Sequence, residues 1–117
     1  MTNNKIYSFL GLAAKAGKVI SGEEACERTI KAGKAKLVIV ADDASDRTKR
    51  KFASICKQNV VEFKNFGEKE FLGKFIGKEA RSVIAILGEE FAKHLGEMIE
   101  GINIEFGGER IGKSQNL

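Results

Sequence analysis

Residues 17–45 read GKVISGEEACERTIKAGKAKLVIVADDAS, and this stretch decides the fold of the chain. Ser21 is a favourable N-cap residue and Glu24 lies three positions further on, so the pair predicts a capping box at the start of a helix. Gly33 predicts the end of that helix. The buried stripe is predicted from apolar or small side chains at helical spacing, which are Ala25, Cys26, Thr29 and Ile30.

A strand that is covered on both faces is predicted directly after this helix. Residues 37–41 form a continuous apolar run rich in β-branched side chains, which is typical of a buried strand. An acidic turn follows at residues 42–45. Basic side chains remain for the outer face of the helix and the loop after it, and these are Arg28, Lys31, Lys34 and Lys36. The combination predicts a surface on which an anionic partner can dock.

The rest of the chain continues the alternation of helices and buried strands. Helices are predicted at residues 4–16, 22–32, 46–57, 67–75 and 89–100, and strands at 18–20, 36–41, 60–63 and 82–87. Such an alternation predicts an α/β fold with helices on both faces of one sheet. Alternating apolar side chains at residues 102, 104 and 106 predict a short edge strand. We expect one domain over residues 1–106 and a flexible tail over residues 107–117.

The third predicted helix carries a cap signal and a cluster of cations. Ser45 is its expected N-cap. Its inward side chains are predicted to be Phe52, Ala53, Ile55 and Cys56. Four basic residues lie in its first two turns, namely Arg47, Lys49, Arg50 and Lys51. Two interpretations of that cluster stay open, a second patch for phosphates and a solvated helix face.

Charge is unevenly distributed along the chain. The net charge of the 117 residues is +4. Residues 1–58 carry 12 Lys or Arg and 6 Asp or Glu, whereas residues 59–117 carry 8 and 10. A positive first half indicates that the face it builds meets a polyanion, with nucleic acid as the expected class of partner.

The cysteines and the apolar stretches suggest a cytoplasmic protein. Cys26 and Cys56 are 30 residues apart, which is neither a zinc-site spacing nor a redox pair, so buried free thiols in a reducing compartment are expected. The apolar stretch at residues 7–14 is too short to span a bilayer. No signal peptide is visible in the sequence.

Signals for catalysis are weak. His94 is the single histidine, and no candidate nucleophile lies at a spacing from it that is typical of a catalytic pair. The sequence also contains no phosphate-binding loop motif. The acidic residues Asp42, Asp43 and Asp46 follow a buried strand, where carboxylates can hold Mg²⁺. A small Mg²⁺-dependent enzyme is therefore one hypothesis, but the expectation is a non-catalytic protein without cofactor or metal.

Two blocks of the sequence resemble the kink-turn-binding ribosomal protein superfamily. The first block contains Gly17-Lys18, Gly22, residues 33–38 (GKAKLV) and residues 43–45 (DAS). The second is KEFLGKFIG at residues 69–77, followed by the strand at 83–87. The resemblance covers residues 5–100 and points to the bacterial YlxQ-type proteins, which are small ribosomal-protein-like factors. It implies an α/β fold of the three-layer α-β-α sandwich type with a mixed four-stranded sheet.

The resemblance also implies where RNA would bind. Members of the superfamily insert the start of the second helix into the widened groove of a bent RNA and read sheared G·A pairs there. Gly22 matches the glycine that permits close approach, while Glu24, Ala25 and Arg28 stand where the family has asparagine, glutamate and lysine. A loop before the last strand covers an extruded nucleotide, and its counterpart here, residues 78–82, contributes Lys78, Ala80 and Arg81. We name residues 78–82 the capping loop.

These matches lead to a specific expectation about function. Ala25 cannot hydrogen-bond a guanine edge, whereas Glu24 can accept from a guanine amino group. Arg28, Lys18, Lys36 and Arg81 supply cations for phosphates. We expect a monomeric, non-catalytic protein that binds structured RNA, ribosomal RNA above all, in kink-turn or another shape, and that binds no DNA or membrane. The alternative is a protein-interaction module of the translation machinery that has lost specific RNA readout.

Overall fold

The computed structural model describes the backbone of residues 2–111 and the side chains of residues 4–102. Helices and strands alternate along that part of the chain, as the sequence predicts. The elements are α1 (Thr2–Lys15), β1 (Val19–Ser21), α2 (Glu23–Lys31), β2 (Leu37–Val40), α3 (Asp46–Asn59), β3 (Glu62–Asn65), α4 (Lys69–Phe75), β4 (Val83–Ile86) and α5 (Glu89–Ile111).

The four strands form one mixed sheet in the order β1-β4-β2-β3. β4 runs antiparallel to both of its neighbours, with Ser21 opposite Ile84 on one side and Leu37 opposite Ile86 on the other. β2 and β3 are parallel. Every residue of β2 and β4 is buried, because these apolar runs occupy the centre of the sheet and are covered on both faces.

Helices cover both faces of the sheet and complete three layers. α2 and α3 pack against each other on one face, where α2 contacts β1 and β4 and α3 contacts β2 and β3. α1, α4 and α5 form the other helical layer, in which α1 contacts both α4 and α5. The predicted three-layer α-β-α sandwich with a mixed four-stranded sheet is therefore confirmed.

The predicted capping box at the start of α2 is wrong. Ser21 is the last residue of β1, and Gly22 is the N-cap, with φ 95°, ψ 149° and no side-chain cap. Ser21 pairs with Ile84 in the sheet and its hydroxyl accepts from Arg81 Nε, and the helix begins one residue later, after Gly22. At α3 the prediction is confirmed, because the Ser45 hydroxyl accepts from the Thr48 N–H at 3.1 Å.

Two further details of the prediction are also wrong. Ala53 is exposed, and Thr48 takes a place on the buried stripe of α3 beside Phe52 and Ile55. The expected edge strand at residues 102–106 lies within α5, which runs to Ile111. Residues 107–111 of the expected tail also belong to α5, while residues 112–117 lie outside the described residues. The domain boundary at residue 106 stays a prediction.

The end of α3 shows why β3 begins two residues later than the sequence suggests. Val60 is the C-cap of α3 in the left-handed conformation, with φ 56° and ψ 51°. Its side chain is 92% exposed. Glycine is the usual residue in this conformation, and a β-branched side chain is strained there. The ordinary sequence signal for the helix end is therefore missing, and Val60 reads instead as the first residue of a strand.

Candidate nucleic-acid interface

The start of α2 is an open backbone corner at the edge of the sheet. The Gly22 N–H donates to the Val83 carbonyl at 3.1 Å, and the Gly22 carbonyl accepts from the Cys26 N–H at 2.9 Å. The φ of 95° at Gly22 lies where side chains are strained. A Cβ placed on Gly22 would meet no atom within 4 Å in the part of the chain that the structure describes. Glycine is required here by backbone conformation, and the corner stays accessible to a partner.

The capping loop is held tightly against α4. Gly73 packs so closely that an added Cβ would lie 1.8 Å from the Glu79 carbonyl oxygen. The Lys78 N–H donates to the Gly73 carbonyl at 2.8 Å, and the Arg81 N–H donates to the Lys69 carbonyl at 2.9 Å. Backbone hydrogen bonds therefore fix the course of this loop before it enters β4.

Arg81 joins the capping loop to the start of α2. Its Nε donates to the Ser21 hydroxyl oxygen at 3.0 Å, and its Nη1 donates to the Ala80 carbonyl at 3.1 Å. The guanidinium thus bridges two segments that the family resemblance implies to be parts of one binding site. The structure brings Gly22, Ala80 and Arg81 to the same edge of the sheet.

Three further predicted residues lie along α2. Glu24 and Arg28 are exposed and stand one turn apart, so they share one face of the helix, whereas Ala25 is half-buried. Among the described side chains, Glu24 and Arg28 take part in no ion pair within 4.0 Å. A carboxylate and a guanidinium are therefore both available to a partner on this face.

Lys18 and Lys36 lie at the opposite edge of the sheet, meaning the edge formed by the other ends of the strands. The Lys18 carbonyl accepts from the Leu87 N–H at 2.8 Å, and the Lys36 N–H donates to the Ile86 carbonyl at 2.7 Å, so both flank the end of β4. Gly22 flanks the beginning of the same strand. Since β4 has four residues, about 10 Å of strand separates the two edges. The Lys36 ammonium also lies 3.9 Å from the Glu89 carboxylate.

Two of the three carboxylates of α2, those of Glu23 and Glu27, contact side chains of α3. The Thr48 hydroxyl donates to Glu23 Oε2 at 2.8 Å. Glu27 pairs with Lys31 at 2.8 Å and with Lys51 at 3.2 Å, and hydrogen bonds from these ammonium groups hold the pKa of Glu27 below its ordinary value. Glu24 is therefore the α2 carboxylate that faces solvent without a partner among residues 4–102. The Glu27–Lys31 pair follows the spacing of four residues within one helix, whereas the sequence carries no clear signal for the contacts with Thr48 and Lys51, because these join α2 to α3.

The acidic turn after β2 accepts hydrogen bonds from the backbone at the beginning of α4. Asp42 Oδ2 accepts from the Gly67 N–H at 3.2 Å, and Asp43 Oδ1 accepts from the Lys69 N–H at 2.9 Å. Both carboxylates thus satisfy backbone donors at the beginning of α4. Within the described ranges, no group of three or more His, Cys, Asp or Glu residues is arranged to hold a metal ion. The hypothesis of a Mg²⁺ site at this turn gains no support from the geometry.

Over residues 2–111, no helix combines the length and the apolar character needed to cross a bilayer.

Comparison with known proteins places the chain among ribosomal-protein relatives. Residues 4–96 match the ribosomal protein L7Ae/L30e/S12e/Gadd45 family. The chain is 37% identical over 100 residues to the RNA-binding protein YlxQ of Bacillus subtilis, covering 86% of this chain and 100% of that protein. It is 43% identical over 98 residues to the RNA-binding protein YlxQ of Enterococcus faecium, covering 83% of this chain and 93% of that protein.

A solved structure agrees with the fold. A protein of unknown function from Bacillus halodurans superposes with a TM-score of 0.79 at 35% sequence identity, covering 82% of this chain and 97% of that chain. The resemblance seen in the two sequence blocks is therefore confirmed by alignments that span most of the chain.

Proposed function

The chain belongs to the ribosomal protein L7Ae/L30e/S12e/Gadd45 family, and we propose that it binds structured RNA through the start of α2 and the capping loop. The names of its relatives, RNA-binding protein YlxQ in two bacteria, support this proposal. The expectation that the chain is not an enzyme is confirmed, since the family and these relatives are ribosomal and RNA-binding proteins.

The observation that carries the proposal is the open corner at Gly22 beside a fixed capping loop. Among the described residues no side chain caps α2, so N–H groups in its first turn are free of a side-chain acceptor there. Uncapped N–H groups and the helix dipole favour an anion such as a phosphate. Arg81, held by Ser21, adds a cation at the same place. An RNA backbone can approach here without meeting a side chain on Gly22.

The cations on and around α2 extend this surface. Arg28 follows one turn after Glu24, and Lys36 lies in the loop after α2 at the other edge of the sheet. An RNA strand that starts at Gly22 and runs along α2 would therefore pass Arg28 and reach Lys36 and Lys18. Phosphate contacts of this type give affinity and orientation but little sequence information.

Base recognition is assigned to the first turn of α2 and to the capping loop. Glu24 is exposed and free of an ion pair within the described part of the chain, so it can accept a hydrogen bond from a guanine amino group. Ala25 contributes shape only. Lys78 and Ala80 are exposed in the capping loop and would flank an unpaired nucleotide. We propose a kink-turn-like or other ribosomal RNA as the target, bound by a monomer in the cytoplasm.

A titration of paired RNAs tests this function. One RNA carries a standard kink-turn, and its partner has the G·A pairs replaced by Watson–Crick pairs, and the two are compared at each of several salt concentrations. The protein is used as wild type, as Arg28→Ala and as Lys93→Ala, a control that removes an exposed cation from α5 in the other helical layer. We expect the wild type to bind the kink-turn RNA more tightly than the RNA with Watson–Crick pairs. Arg28→Ala should weaken binding and lower by about one the salt slope, which is the steepness with which the logarithm of affinity falls with the logarithm of salt concentration. Lys93→Ala should match the wild type.

The outcomes separate the proposed function from its alternatives. Equal binding of the wild type to both RNAs would retain RNA binding but remove kink-turn recognition. Absence of salt-dependent binding to either RNA would overturn the proposal. The second candidate, a protein-interaction module, is favoured by Ala25, because the position cannot read a base. It would then be the hypothesis to pursue.

A further inference from the structure

We propose that the solvent-facing ridge of α3 is a second RNA-contacting surface, which binds the backbone of a double-helical stem adjoining the RNA seated at α2. The ridge consists of Arg47, Arg50 and Lys57 and is called the α3 ridge. This inference rests on the proposed function, because it assumes that RNA docks at the start of α2. It resolves the two interpretations of the α3 cations in favour of phosphate contact.

α3 concentrates positive charge on the side that faces away from the sheet. The helix contains five Lys or Arg residues and one Asp. Arg47, Arg50 and Lys57 are three and seven residues apart, so they share one face of the helix. All three are exposed. The opposite face carries the buried residues Thr48, Phe52, Ile55 and Cys56. Among residues 4–102, no carboxylate lies within 4.0 Å of the cationic groups of the ridge.

The contacts between α2 and α3 place this ridge beside the proposed RNA site. Glu23 bonds to Thr48, and Glu27 one turn later pairs with Lys51. Since contact residues advance together along both helices, α2 and α3 run side by side in the same direction. Arg47 precedes Thr48, so the first turn of the α3 ridge lies level with the first turn of α2. An RNA docked at Gly22 would continue into reach of Arg47.

The same contacts pair the two carboxylates in the seam between the helices with hydroxyl and ammonium donors. Glu23 is held by the Thr48 hydroxyl, which in turn accepts from the Ser45 hydroxyl at 3.0 Å. Glu27 is neutralised by Lys31 and Lys51. A polyanion that crosses from α2 to α3 therefore meets cations and paired carboxylates. In the described part of α2, Glu24 is the remaining free acid, and it lies at the proposed base-reading site.

The chemistry of the α3 ridge fits a nucleic-acid backbone better than a protein surface. Protein interfaces depend on buried apolar or aromatic anchors. The ridge between Arg47 and Lys57 offers Ser54 and no exposed large apolar side chain. Ten residues of helix separate its ends, which is about 15 Å. Several phosphates of one strand fall within that length, so the ridge can engage more than one phosphate.

Two RNAs of different length test the inference. The short RNA contains the bent core with minimal stems, and the long RNA extends the stem next to the α2 site. We expect the wild type to bind the long RNA about tenfold more tightly. The Arg47→Ala/Arg50→Ala variant should lose this gain in affinity and keep wild-type affinity for the short RNA. Its salt slope on the long RNA should be smaller than that of the wild type by about two. Arg47 and Arg50 are both exposed, so this variant should keep the wild-type melting temperature.

The matched control is Lys5→Ala/Lys93→Ala, which removes the same charge from exposed positions on α1 and α5 in the other helical layer. It should retain the gain from the long RNA. An equal loss in both double variants would mean a net-charge effect and would overturn the inference. The same follows if the ridge variant keeps the full gain. Failure of the wild type to bind the short RNA would instead overturn the proposed function itself.

Discussion

Arg81 Nε donates a 3.0 Å hydrogen bond to the Ser21 hydroxyl, across 60 residues of sequence. This single contact joins the end of β1 to the capping loop just before β4. It also explains why Ser21 is unavailable as the N-cap of α2. The uncapped helix start and the anchored guanidinium are thus two consequences of one side-chain arrangement.

The first prediction concerns this hydrogen bond. Ser21→Ala should reduce RNA affinity severalfold, because Arg81 would have to be ordered on binding. The free energy of unfolding should fall by about 1 kcal/mol, the usual contribution of one hydrogen bond. RNA titration and denaturant unfolding measure the two effects. Ser21→Thr keeps the hydroxyl and should restore affinity, and failure of that rescue would show that the hydroxyl is not the group that matters.

Gly22 can be tested against Gly17, a second glycine with positive φ. At either site an added Cβ meets none of the described atoms within 4 Å, and φ is 95° at Gly22 and 74° at Gly17. Gly22→Ala should lower the free energy of unfolding by about 1–3 kcal/mol and Gly17→Ala by about 1–2 kcal/mol, through backbone strain. Only Gly22→Ala should also weaken RNA binding at a temperature where both variants are folded. Wild-type affinity in Gly22→Ala would remove this corner from the interface.

The packing of α4 on the capping loop predicts a large effect at Gly73. Gly73→Ala would place Cβ 1.8 Å from the backbone oxygen of Glu79, so either α4 or the loop must move. We expect a loss of about 3 kcal/mol in the free energy of unfolding. Gly101→Ala is the control, since a Cβ there meets no atom of the described residues within 4 Å and alanine favours the helix by about 0.5–1 kcal/mol. Equal melting temperatures for the two variants would contradict this packing.

Val60 predicts a stabilising substitution. Its left-handed conformation strains a β-branched residue, and its side chain is 92% exposed and loses little packing on removal. Val60→Asn should therefore raise the free energy of unfolding by about 1 kcal/mol, because asparagine tolerates this conformation. Thermal unfolding provides the measurement. Val60→Ala removes the β-branch but lacks the amide with which asparagine can hydrogen-bond the local backbone, so it should gain less than Val60→Asn; the reverse order would argue against strain as the cause.

Burial of the two thiols predicts both their reactivity and a pH effect. Burial raises the pKa of Cys26 to about 12 and that of Cys56 to about 11, from an ordinary value of 9.0. Because the thiolate is the reactive form, alkylation at pH 8 should be slow in the folded protein and fast after unfolding. The thiols of the unfolded protein ionise near pH 9, whereas those of the folded protein ionise at higher pH. The contribution of the buried neutral thiols to the free energy of unfolding is therefore complete below pH 9 and is lost as the pH rises from about 9 toward about 12. Fast labelling of the native protein would contradict this prediction.

Local sequence patterns were sufficient for much of the fold. The apolar runs of β2 and β4 predicted buried strands because central strands need apolar side chains on both faces. Ser45 predicted the start of α3 because a cap acts within one turn. These features depend on neighbours in sequence, so they can be read before the chain folds.

Local patterns failed where a distant segment competes for the same group, or where a residue takes a backbone conformation that its type disfavours. Ser21 and Glu24 match the capping-box pattern, yet pairing with β4 and the bond from Arg81 take Ser21 away from the helix. Val60 looks like a strand residue, yet it ends α3. In both cases a tertiary contact or a strained turn overrides the local preference.

By itself the sequence determined the alternation of elements, the positive first half and the family resemblance that marked the nine predicted interface residues. Only the tertiary structure decided that Gly22 and Arg81 share one edge of the sheet while Lys18 and Lys36 lie at the other. It also decided that Glu23 and Glu27 face cations and hydroxyls of α3. The physical reason is that strand pairing and helix packing set the distances between residues that are far apart in the chain. Electrostatic interactions and hydrogen bonds depend on those distances in space and not on separation in sequence.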